Sequence, residues 1–101
     1  MLIVSPTVQV KLATKHRVAP AGIHECFANR AGAFLDDVRE RHRSDPPTQW
    51  FIARTDAGRL LKVVFGQRLG RGGVDLHIRT AYEPNAMELR IHTKFGSTPV
   101  S

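Results

Sequence analysis

Residues 48–82 carry three runs rich in Trp, Phe, Ile, Val and Thr, separated by two glycine-marked turns, and the middle run is apolar on both faces. Such β-branched and aromatic content bounded by turns predicts strands, here over residues 49–55, 59–66 and 74–82. Gly58 in Asp56-Ala57-Gly58 supplies the positive-φ position of a tight turn, and a glycine-rich tract around Gly70, Gly72 and Gly73 marks a second turn. The expected unit is a three-stranded antiparallel meander. Parity assigns the faces. Leu61, Val63 and Phe65 share one side of the middle strand, with Leu60, Lys62 and Val64 on the other. If Thr55 pairs with Arg59, Phe51 and Ala53 join the Leu61 side, while Trp50, Ile52 and Arg54 join Lys62. In the third run Val74, Leu76 and Ile78 are expected in the core, with His77 and Arg79 opposite. The same count puts Tyr82 on the core side, its hydroxyl emerging at the strand end.

The flanking segments follow helical spacing. Leu2, Ile3 and Val4 suit a short edge strand, and Ser5-Pro6 suits a capped helix start that buries Val8 and Leu12 and exposes Lys11 and Lys15. After the polar break at residues 15–18, Pro20 opens a second helix to about Asn29, with Ile23, Cys26 and Phe27 inward and Glu25 outward. Phe34-Leu35 begins a short extended piece. Residues 36–47 are dense in charge and end in Asp45-Pro46-Pro47, which predicts a surface loop. Asn85 caps a final helix, Glu88 stands at capping-box spacing, and Met87, Ile91 and Phe95 form a stripe expected to lie on the sheet until Gly96 stops it. Two N-terminal helices, a meander and a C-terminal helix make one α+β domain over residues 1–101, with a flexible tail from Gly96 to Ser101.

Composition narrows the class. A chain of 101 residues with 42% hydrophobic content supports a single modest core. The net charge of +6 and pI near 10.5 favour an acidic partner, nucleic acid or an acidic protein segment. Arg54, Arg59, Lys62, Arg68, Arg71 and Arg79 outnumber Asp56 and Asp75, so most of that charge lies in the meander. Cys26 is the only cysteine, which excludes an internal disulfide and a cysteine metal cluster. The five histidines have no metal-ligand spacing, no cofactor motif is present, and no segment reaches the length of a membrane span. A cytoplasmic protein is expected.

The order of short motifs resembles a known family. Lys15-His16-x-Val18 after a first helix, His42 in a charged loop, Trp50-Phe51-Ile52, Gly58-Arg59-Leu60-Leu61-x-Val63-Val64, and Ile78-Arg79-Thr80-Ala81 before a helix with Glu88 look like a BrnT-type toxin. That family belongs to the wider RelE-like ribonuclease toxins. The resemblance covers roughly residues 12–94. It implies a RelE-like fold, cleavage of RNA, and a cognate antitoxin protein as partner in a type II toxin–antitoxin pair.

Metal-free RNA cleavage needs a base for the 2′-hydroxyl, donors for the phosphorane and an acid for the leaving oxygen. With the resemblance, Lys62 and Arg79 are the first candidates for gripping the scissile phosphate, then Arg54 and Tyr82. His16 and His42 match family positions and suit acid–base work. Lys15, Arg59, Arg68 and Arg71 are the expected RNA-binding cations. Each has a plainer reading: a strand Lys or Arg among apolar neighbours ordinarily snorkels, and Glu88 is first a helix cap. The alternative function is a non-catalytic basic module for nucleic acid or an acidic protein, and a third reading is a family member with only a structural role.

Overall fold

The computed structural model describes residues 1–36 and 47–96. Of the charged loop expected over residues 36–47, Asp36 instead forms a short strand with Leu35, and residues 37–46, with His42, lie outside the described residues, as does the tail beyond Gly96.

The fold is α+β. Five strands, β1 (Leu2–Ile3), β2 (Leu35–Asp36), β3 (Thr48–Arg54), β4 (Leu60–Gly70) and β5 (Gly73–Tyr82), form one mixed sheet in the order β1-β5-β4-β3-β2. The meander is its centre, and the two short edge pieces extend it beyond the three strands expected. β1 runs parallel to β5, and the other pairs are antiparallel. Helix α1 (Pro6–Lys11) continues into a π-helical turn, Leu12–His16, and α2 (Pro20–Asn29) follows. Helix α3 (Ala86–Ile91) likewise continues into a π-helical turn, His92–Gly96.

The β3–β4 register follows the expected parity. Thr55 N donates to Arg59 O at 2.9 Å, Gly58 takes φ 90°, and Ile52 stands opposite Lys62 with Phe51 opposite Val63. β4 runs four residues past the expected end, and the hairpin turns at Arg71-Gly72, with Gly70 opposite Gly73. Val74, expected in the core, lies on that hairpin beside the turn and is 46% exposed.

A β-bulge resets the faces of β5. Thr80 pairs with Val64 and Ile78 with Phe65, so Arg79 is an extra residue in the strand. Ile78 and Ala81, three residues apart, can therefore both enter the same core, where they are 4% and 0% exposed. Beyond the bulge Tyr82 stands opposite Lys62 and not on the core side, which corrects the parity count made without a bulge.

One face of the sheet packs on α1 and α2. Leu12, Val18, Ile23, Cys26, Phe51, Ala53, Leu61, Val63, Phe65, Ile78 and Ala81 form this main core. Phe27, Phe34, Phe51 and Phe65 meet largely edge to face at 4.7–6.1 Å, a geometry worth about 0.5–1.5 kcal/mol per pair beyond the area buried.

The opposite face is covered too. Trp50, Ile52 and Val64 form a second, smaller cluster with Leu35, Leu60, Tyr82 and Leu89 of α3. The expected Met87, Ile91 and Phe95 stripe turns outward, at 66%, 40% and 62% exposed. Glu88, Leu89 and His92 point at the sheet in its place, because the capping box orients the first turn of α3 and Glu88 meets Lys62. Phe51→Ala should cost about 3–5 kcal/mol in urea unfolding. Met87→Ala should stay within about 0.5 kcal/mol, the reverse of what a sheet-facing Met87 would give.

Candidate functional site

Lys62 sits near the start of β4, paired with Ile52 on one side and Tyr82 on the other, and it is only 7% exposed. Its Nζ lies 4.5 Å from the Trp50 ring centroid and 5.6 Å from that of Tyr82, cation–π contacts that partly replace lost water. Its ion partner is Glu88: Nζ donates to Oε2 at 2.6 Å. The Tyr82 hydroxyl donates to the same oxygen at 2.8 Å. The other carboxylate oxygen accepts from the Asn85 backbone N–H at 3.0 Å, while Asn85 Oδ1 accepts from Glu88 N–H at 2.8 Å. Glu88 thus closes the capping box with one oxygen and joins the sheet to α3 with the other.

Around this trio stand two histidines. The His16 ring, at the end of the first helix, lies 5.8 Å from that of Tyr82, and the His92 ring lies 6.2 Å from Trp50. The buried Nε2 of His92 has no hydrogen-bond partner among the described residues. Arg59 fixes the His16 end: its guanidinium donates to the carbonyls of His16 and Arg17, each at 2.6 Å, and approaches Glu83 at 3.7 Å. Those carbonyls end a helix whose cap, Arg17, takes φ 53°, so the cation meets the negative end of the helix.

The fold therefore brings together Lys62, Tyr82 and His16 among the expected residues. Arg54 shares the Lys62 face by register but is exposed at its strand end, donating to Gly58 O at 2.9 Å. Arg79 is exposed at the bulge. Arg68 and Arg71 are exposed on the projecting hairpin and Lys15 on the first helix, while Arg59 is partly buried in the contacts above. The sheet face that carries Lys62 is roofed by α3, since Glu88 and Leu89 seat that helix over Lys62 and Val64. In the sequence the Asn85-to-Glu88 spacing marks Glu88 chiefly as a cap, and His92 is, with His77, a weaker acid–base candidate than His16 and His42, with no pattern that places either beside the sheet.

Two groups titrate away from their ordinary ranges. Desolvation pushes the Glu88 carboxyl up, but hydrogen bonds from Lys62, the Asn85 backbone and Tyr82, with the Lys62 charge, outweigh it and hold it low. Burial lowers His92 by disfavouring the imidazolium. On the main-core side, burial first, then the charges of Glu25 and Asp56, raise the Cys26 thiol to about 11, so Cys26 is a core residue and no nucleophile. Among the described residues no group of three or more His, Cys, Asp or Glu could hold a metal ion, and no helix is long and apolar enough to cross a membrane.

No protein-family model matches the chain, and no curated protein matches it significantly.

Replacing Lys62 with Met leaves the Glu88 carboxylate largely buried without its cation, and should cost about 3–5 kcal/mol in urea unfolding. Acid should loosen α3 in two steps. The His92 contribution is present above the ordinary imidazole range and lost as pH falls through its lowered folded value. That of Glu88 is present above the ordinary carboxylate range and lost as pH falls through its own lowered value. Hydrogen exchange of amides 86–96 against pH reads both steps, with His92→Leu removing the first and Glu88→Gln the second.

Proposed function

We propose that the protein is a metal-independent endoribonuclease, acting as the toxin of a type II toxin–antitoxin pair in the cytoplasm. The observation that carries this reading is the convergence of Lys62, Tyr82 and His16, side chains from two strands and a helix end, at one end of a buried apolar wall. An ammonium and an imidazole, each beside the same phenol, supply the groups that phosphodiester transfer needs without a metal.

In the reaction, His16 takes the proton of the 2′-hydroxyl as that oxygen bonds to phosphorus. Lys62 balances the charge gathering on the phosphorane, while Arg79, exposed at the bulge, holds a neighbouring phosphate. The bond from phosphorus to the 5′-oxygen breaks, and that oxygen leaves with the proton of the Tyr82 hydroxyl. The products are a 2′,3′-cyclic phosphate and a free 5′-hydroxyl; solvent then reprotonates Tyr82 and takes the proton from His16. Arg54, Lys15, Arg68 and Arg71 would hold flanking phosphates.

The burial of Lys62 favours a second reading, a basic module that binds nucleic acid without cutting it through the exposed arginines alone. Incubation of the purified protein with RNA in EDTA separates the two. The nuclease reading expects cyclic-phosphate ends, and a loss of about 100-fold or more in rate for Tyr82→Phe and for His16→Ala. Lys62→Ala with Arg79→Ala should relieve growth arrest on expression. Salt-dependent binding with intact RNA would establish the second reading instead.

A further inference from the structure

We infer that Lys62 and Tyr82 form an oxyanion-binding site that the Glu88 carboxylate keeps filled, and that a phosphate of single-stranded RNA enters it by exchanging for Glu88 as α3 lifts. The inference rests on the nuclease reading and adds to it a substrate class and a mode of control.

The geometry points to an anion seat. Lys62 Nζ and the Tyr82 hydroxyl converge on one oxygen, Glu88 Oε2, at 2.6 and 2.8 Å. Two donors aimed at one anionic oxygen are the arrangement that serves a phosphoryl oxygen equally well. The seat lies in an apolar wall of Trp50, Ile52, Val64 and Leu60. A buried ion pair in such a wall adds little stability over apolar side chains of similar volume, so packing alone does not account for it.

The cover is lightly held. Leu89 is the only apolar side chain of α3 in the second cluster, while Met87, Ile91 and Phe95 face outward. Burial of His92 with an unsatisfied Nε2 opposes closure further. The connection from β5 to α3 is only Glu83-Pro84-Asn85, short enough to act as a hinge. Lifting α3 uncovers the Trp50 ring beside the Lys62 ammonium, since Lys62 and His92 both stack against it. An indole next to a phosphate seat suits an unpaired base and its neighbouring phosphate, and a base held in a duplex cannot reach it.

Binding through a minor open state weakens apparent affinity by the open fraction, so raising that fraction tightens binding in proportion. Glu88→Gln in the full chain keeps the capping-box hydrogen bond and removes the charge that Lys62 holds. Fluorescence anisotropy with a 2′-O-methyl single-stranded oligoribonucleotide, which binds without being cut, should show affinity about tenfold higher for Glu88→Gln than for the unaltered protein. Leu89→Ala, which loosens the helix without touching Lys62, should act in the same direction. Inorganic phosphate should compete, and the oligonucleotide should speed hydrogen exchange of amides 86–96 in the unaltered protein. Unchanged or weaker binding in both variants, or slower exchange on adding the oligonucleotide, overturns the inference. Equal tightening toward a duplex overturns the single-stranded assignment. The two readings fail separately. Tightening without cleavage of natural RNA keeps the anion site and removes the nuclease, whereas cleavage with no tightening keeps the nuclease and removes the covered site. Should Glu88→Gln not fold, Leu89→Ala and the exchange measurement on the unaltered protein decide.

Discussion

One extra residue in β5 determines what Lys62 faces. Without the bulge at Arg79, the strand would point Tyr82 at the main core and Ala81 at Lys62. With it, Ala81 fills a fully buried site under α1 and α2, and the phenol arrives across from the ammonium. The next turn of chain can then bring Glu88 to both. A bulge costs the ladder a regular pairing, and here that cost is offset by Ile78 and Ala81 both reaching the core while a polar trio is assembled on the far side.

The two faces of the sheet consequently differ in kind. The main core is built from aliphatic side chains and four phenylalanines meeting at their edges, with no ionisable group except the silent Cys26 thiol. The second cluster is thin, and its centre is a charge pair bracketed by Trp50, Tyr82, His16 and His92. Most of the stability belongs to the first face, since hydrophobic burial scales with area removed from water. The charged contacts belong to the second, where low water content strengthens each electrostatic contact and makes any unpaired one expensive.

The arginines divide by the same logic. Arg59 is committed to structure, since its guanidinium closes the helix end that carries His16. Arg54, Arg68, Arg71 and Arg79 are exposed and ring the sheet. Cations of this kind attract a polyanion over a Debye length and do not by themselves select it. Selection, on the reading proposed above, falls to the covered seat beside Trp50.

Local rules determined a good part of this molecule from its sequence. The strand-forming runs in residues 49–65, the Gly58 turn, the Asn85 to Glu88 capping box and the inward stripes of the first two helices depend on neighbours a few residues apart, and all stand as read. What escaped was non-local. The bulge at Arg79 exists because β4 and the main core must both be satisfied at once, and no period within β5 encodes it. The outward turn of Met87, Ile91 and Phe95 was decided by Glu88 finding Lys62 across 26 positions of chain. A charged contact sealed beneath a helix is a property of the assembled layers, so the sequence could single out Lys62 and mark Glu88 as a cap, but only the tertiary structure could join them.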